Sequence, residues 1–246
     1  MKMISSAKVH KNELALRRLL PFKDQIRQIM GHLLSADADY SSPLIESREA
    51  RRIGVVVFGS DVDITLIPVG RKIQHAVEHL ASTGIHIAIP EGVDSKMEGE
   101  KVNDFTLGLQ KDFLGGTLDL VEVVYMSFKS MSKQVLTIEQ LFPVTESAIM
   151  QGESEQVKKD ENRLYIFEPN PNRIFNEVLP MFVLSTMQEI TIENRASEQA
   201  ARVMAMQSAN DNAKNLLDDL RLEYNKLRQQ SITTELLDIL GGQVER

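Results

Sequence analysis

Residues 181–240 read MFVLSTMQEITIENRASEQAARVMAMQSANDNAKNLLDDLRLEYNKLRQQSITTELLDIL and contain neither glycine nor proline. Nothing in this stretch breaks a helix. At ~1.5 Å rise per residue a continuous helix over it is about 90 Å long. A chain of 246 residues folded into one compact globule is only about 45 Å across. The helix therefore protrudes from its own protein. Apolar and small residues recur along it at alternating steps of three and four: Ala196, Gln199, Val203, Met206, Asn210, Ala213, Leu217, Leu220, Tyr224, Leu227, Ser231 and Thr234. This is a coiled-coil seam, with Met206, Ala213, Leu217, Leu220, Tyr224 and Leu227 as its packing positions. Gln199, Asn210, Ser231 and Thr234 make it polar, so it holds weakly alone and suits a larger assembly that supplies outer contacts.

The partner of this helix is read from charge. The segment from Ile174 onward carries seven basic and eleven acidic residues. Residues 1–36 carry Lys2, Lys8, Lys11, Arg17, Arg18, Lys23 and Arg27 against only Glu13 and Asp24. Opposite charge favours pairing of the two ends. The N-terminal segment is itself helical in pattern, with Leu19, Phe22, Ile26, Ile29 or Met30, and Leu33 on one face. Pro21 is expected to kink it or to mark a new start. Leu19 to Leu34 are expected to contact the region from Ala196 to Leu220 or beyond. The polar stretch from Ser35 to Arg51 reads as a loop.

Between the two ends, strand and helix patterns alternate. Ile53–Phe58, Ile64–Val69, Ile85–Ile89, Leu118–Phe128 and Leu164–Phe167 read as strands; the first is a continuous β-branched run of the kind buried on both faces. Arg71–Ser82, with Ile73, Ala76, Val77 and Leu80, and Val102–Phe113 read as helices, the second stopped by Gly115-Gly116. Gln151–Asn162 reads as a hairpin tip or loop. The predicted architecture is a Rossmann-like three-layer α/β domain, residues 52–169, inserted between a coiled-coil helix at 1–36 and a long coiled-coil helix at 172–246 that pair antiparallel. Parallel neighbours need a crossover of a dozen or more residues. The first two strand runs are separated by almost none, so the chain is expected to be broken or deleted near Asp61–Val62.

Composition and motifs exclude most chemistry. The net charge of −7 argues against general nucleic-acid binding. With no cysteine there are no disulfides, thiol nucleophiles or iron–sulfur clusters. No apolar run reaches the ~18 residues of a membrane helix. There is no signal peptide pattern, and no G-x-x-x-x-G-K-[ST] or G-x-G-x-x-G phosphate cradle. His75 and His79, four apart, lack a third metal ligand and read as surface histidines. Asp61-x-Asp63 reads as a turn rather than a cation site. Met1, Met3, Met204 and Met206 read as helix-seam packing. Arg228 and Gln229, near the far end of the helix, fit either a solvated face or a polar contact with a partner. On these grounds a static coiled-coil scaffold with an α/β insertion remains open. A Rossmann-like enzyme remains open too, without a motif to support it.

Several stretches carry a resemblance. Residues 196–206, ASEQAARVMAM, are followed by Ala209-Asn210-Asp211-Asn212-Ala213 and by residues 224–235, YNKLRQQSITTE. These resemble the SEHAARMMAM, ATDNA and YNKARQAAITQE signatures of the gamma subunit of rotary F-type ATP synthases. Residues 1–8, MKMISSAK, are similar to the family's MKMVSAAK, and Ile67–Lys72 and Ile138–Pro143 are further matches. The order is colinear over nearly the whole chain. The family has about twenty residues before MKM that are not present here. Its loop and helix after SSD are also missing, Ser60-Asp61 running directly into Val62-Asp63.

The resemblance implies a rotor. The two terminal helices would form the shaft inside a ring of alpha and beta subunits. The α/β domain would sit with the epsilon subunit on the membrane-embedded c-ring, peripheral to the cytoplasmic side of a bacterial cell membrane. Proton flow would turn the shaft and drive ATP synthesis in the catalytic head. The resemblance implies no cofactor, metal or catalytic residue in this chain. It also places a rotor–stator contact with a beta-subunit loop at Arg228, Gln229 and Thr233.

Overall fold

Helix α1, Lys2–Ser35, and helix α4, Pro171–Gly241, flank everything else in the chain. Between them lie β1, Ile53–Val57; β2, Thr65–Pro68; α2, Glu100–Leu114; β3, Leu120–Phe128; β4, Gln134–Phe142; and the short α3, Glu146–Met150. This computed structural model describes residues 2–35, 40–47, 53–57, 65–69, 73–74, 87–88, 97–150 and 167–241. The expected break at Asp61–Val62, the histidines at 75 and 79, Asp61-x-Asp63, Met1 and the loop 151–162 lie outside those residues.

Helix α4 has 71 residues, about 107 Å at the α-helical rise. It continues through Pro180 and α1 through Pro21, so Pro21 marks no new start. The helices pair antiparallel. The Arg27 guanidinium lies over the Phe182 ring at 6.0 Å, Lys23 pairs with Glu189, and Lys8 and Lys11 share a cleft with Arg195 and Arg202. As numbers fall along α1 they rise along α4. This corrects the expected register: Lys23 and Arg27 meet α4 at Glu189 and Phe182, before Ala196 rather than beyond it. The buried face of α4 extends back ahead of the seam that begins at Ala196. There Leu179, Val183, Met187 and Ile190 are buried along with Ala196, Ala200 and Val203. On α1 their counterparts are the buried Val9, Leu16, Ile26, Met30 and Leu33.

The sheet is mixed, in the order β2-β1-β3-β4. Strand β1 pairs parallel with β2 (Gly54↔Thr65 to Val57↔Pro68) and with β3 (Ile53↔Leu120 to Val57↔Val124). Ile87 bridges Leu66 in parallel outside β2. The parallel pairing of β1 and β2 is made across the seven residues 58–64, fewer than a standard crossover holds. Strand β4 pairs antiparallel with β3, with an irregularity at Val121/Glu122.

Alternation sends Val56, Ile67, Val121, Val123 and Tyr125 into one core with Met30, Leu33, Phe113 and the α4 residues. Val55, Leu66 and Val124 point to the opposite face and pack with Ile53, Ile73 and Ile87. Burial of both faces is what a central parallel strand of β-branched residues requires. A Cβ at Gly54 would lie 2.8 Å from a Leu118 methyl, so a larger residue there obliges the Leu118 side chain to move. Helix α2 stops as its glycines predict. Gly116 takes φ 69°, and the amides of Gly115, Gly116 and Thr117 return to the carbonyls of Lys111, Phe113 and Asp112.

Candidate functional site

The candidate site has two parts, the free end of α4 and the junction of α4 with the sheet. Beyond Val203, which is buried, α4 has left α1 behind. From Gln207 to Leu237 every residue of α4 is exposed. Met206 is half-buried at the boundary. Of the other seam residues Leu217 is 47%, Leu220 56%, Tyr224 66% and Leu227 57% exposed, and Ala213 is exposed too. Met3 and Met204 also face outward, so those methionines do not pack within this chain. Arg228, Gln229 and Thr233 are exposed on the same free stretch. The Thr233 hydroxyl donates to the Gln229 carbonyl one turn back at 2.8 Å, which keeps its oxygen lone pair available to an outside donor.

The junction lies between residues 188 and 197 of α4, where polar side chains reach three neighbours. Gln188 Nε2 donates to Asn103 Oδ1 on α2 at 2.7 Å. Glu189 pairs with Lys23 of α1, whose side chain is almost fully buried. Arg195 pairs with Glu98, just ahead of α2. That guanidinium, by hydrogen bond and by charge, holds the Glu98 carboxyl below the ordinary carboxylate range. Asn194 Oδ1 accepts from the Met126 amide at 3.2 Å, and Ser197 Oγ donates to the Met126 carbonyl at 2.8 Å. Burial, with a smaller push from Glu189, raises the Glu193 pKa. Burial likewise raises the Tyr125 phenol, reinforced by Glu139, to which its hydroxyl donates at 3.1 Å.

Sequence reasoning placed the long helix and missed this junction. Its polar residues lie almost wholly ahead of the heptad seam that begins at Ala196, and the β3 groups they bind are backbone, which a sequence does not display. Among the described residues there is no group of three or more potential ligands placed to hold a metal ion. No described helix is long and apolar enough to cross a membrane.

Comparison with known proteins agrees with this geometry. The family profile described as ATP synthase matches residues 61–244. The chain is 35% identical to the ATP synthase gamma chain of Phocaeicola vulgatus, across 98% of this chain and 91% of that one. It is 31% identical to that of Bacteroides thetaiotaomicron, across 100% and 92%. The latter alignment extends over 277 residues, so the relative holds residues opposite which this chain has none. In fold the chain resembles a central-stalk chain of the Tetrahymena thermophila mitochondrial ATP synthase, with TM-score 0.54 at 18% identity over 85% of this chain and 97% of that one. It also resembles a chain of the Euglena gracilis mitochondrial ATP synthase, with TM-score 0.51 at 17% identity over 97% and 94%. Matched through most of its length by the family profile and end to end by bacterial relatives, the chain belongs to the ATP synthase gamma-chain family.

Proposed function

We propose that this chain is the central rotor shaft of an F-type ATP synthase. It couples proton flow through a membrane c-ring to ATP synthesis in an alpha/beta head. The observation that carries this reading is the free part of α4. More than thirty residues, Gln207–Leu237, stand exposed with a row of large apolar side chains. A monomer rarely leaves such a surface to water without a partner. The row follows the heptad rhythm of a helix turning inside a sleeve, and its interspersed polar residues keep it from binding permanently. Alpha and beta subunits supply the sleeve. The epsilon subunit and the c-ring hold the sheet domain on the cytoplasmic side of the bacterial membrane, which the chain meets through the complex. In this reading the chain performs no bond chemistry. It has no phosphate loop and serves the catalytic subunits mechanically.

Two measurements test the proposal. Affinity purification from detergent-solubilised membranes recovers alpha, beta and epsilon subunits with the chain in fixed stoichiometry. The purified chain alone shows no ATP hydrolysis. Turnover by the isolated chain, or recovery of the chain without the catalytic subunits, contradicts it.

A further inference from the structure

The structure assigns to Asn194 and Ser197 the role of the joint that locks the sheet domain to the shaft against rotation; this rests on the rotor reading above. The pairing of β1 with β3 ends at Val57↔Val124. Met126 lies beyond that end, and no described strand pairs with it on that side. Its ladder groups go to α4 instead. Asn194 takes the Met126 N–H, and Ser197 gives to the Met126 C=O. Two side chains one helix turn apart on α4 thus continue the ladder where a strand would have run. Ser197 is 2% exposed, so water does not compete for its hydroxyl.

The physical reason for a polar joint is direction. Apolar packing between a helix and a sheet resists separation, but it is non-directional. Hydrogen bonds have a narrow angular range. A donor and an acceptor from one helix turn, closed on the two polar groups of a single residue, fix both sliding along α4 and turning about it. Torque entering through the sheet domain must pass to α4 somewhere, and this is where β3, which pairs with both β1 and β4, is bonded to it.

The test uses the complete synthase in sealed vesicles. With Asn194→Ala/Ser197→Ala, ATP hydrolysis stays close to wild type while ATP-driven ion pumping per ATP falls severalfold. Asn194→Asp, which keeps the acceptor oxygen, retains pumping. Amide exchange of Met126 in the full chain accelerates about tenfold or more in the double variant, as expected for two lost hydrogen bonds. Asn194→Ala alone, which leaves Ser197 in place, serves if the double variant does not assemble, and it lowers pumping in the same sense. An unchanged ratio of pumping to hydrolysis, or unchanged Met126 exchange, overturns the joint. A wild-type chain that never enters a synthase overturns the rotor reading instead, so the two failures are distinct.

Discussion

Lys23 shows at the residue scale how the two helices are held. Its side chain is 4% exposed, yet it carries a charge, because Glu189 stands opposite and the Phe182 ring lies 5.9 Å below it. Breaking such a pair leaves one buried charge uncompensated. Lys23→Ala is therefore expected to destabilise the isolated chain by about 3–5 kcal/mol in urea unfolding. Lys23→Met/Glu189→Leu, which removes both charges and keeps the volume, recovers most of that loss. Glu193 carries the opposite lesson. Its pKa is raised by burial, and one oxygen, Oε2, is buried without a hydrogen-bond partner. Between the unfolded and folded pKa values the native state holds the extra proton. Stability thus falls as pH rises through that window, and the penalty is complete above the folded pKa. Glu193→Gln is expected to raise stability at pH 7 and to flatten this slope, read by urea midpoints on either side of the window. Glu189 and Lys129 are the charges that face it.

At the scale of elements, the free part of α4 contributes to an assembly rather than to the fold. Truncation after Ala209 is expected to leave the thermal midpoint of the isolated chain unchanged while the helical circular dichroism signal drops. A large fall in the midpoint would show that the exposed stretch packs within the chain. The same elements show what was legible in the sequence. The long helix, the stop of α2 at Gly115-Gly116 and the buried strands β1 and β3 follow from patterns that local physics fixes. The sequence pattern does not mark strand β4. Its Leu136 and Ile138 are exposed at the sheet edge, and the irregularity at Val121/Glu122 disturbs the alternation that marks a half-buried strand. The helix register was misplaced for a related reason. The alternating spacing runs from Ala196 to Thr234 across both the covered and the free part of α4, so it does not say where α1 stops covering it. The polar junction was invisible because half of it is backbone.

Across the whole molecule, the sheet domain and the free helix end are joined through one rigid rod, and the far end of that rod is where contact with a stationary subunit is expected. Arg228 lies 22 residues past the boundary at Met206, about 33 Å along the helix. Gln229 and Thr233, one turn apart, share a helix face, and Arg228 adjoins it. Arg228 offers five donors in a planar fork suited to a carboxylate, and a charge-assisted hydrogen bond contributes about 1.5–3 kcal/mol. That range is about one to two orders of magnitude in an equilibrium, enough to favour one angular position and little enough to release when the shaft is driven. Because all three side chains are exposed, Arg228→Ala/Gln229→Ala is expected to leave the helical signal and urea midpoint of the isolated chain at wild-type values. In the assembled synthase the same pair lowers ATP hydrolysis or the yield of intact complex, and Thr233→Val does so to a smaller extent. Rescue by a lysine at position 228 is partial, since an ammonium restores the charge without the fork. If the assembled enzyme is indifferent to the double substitution, or the isolated chain unfolds with it, the contact lies elsewhere on the shaft.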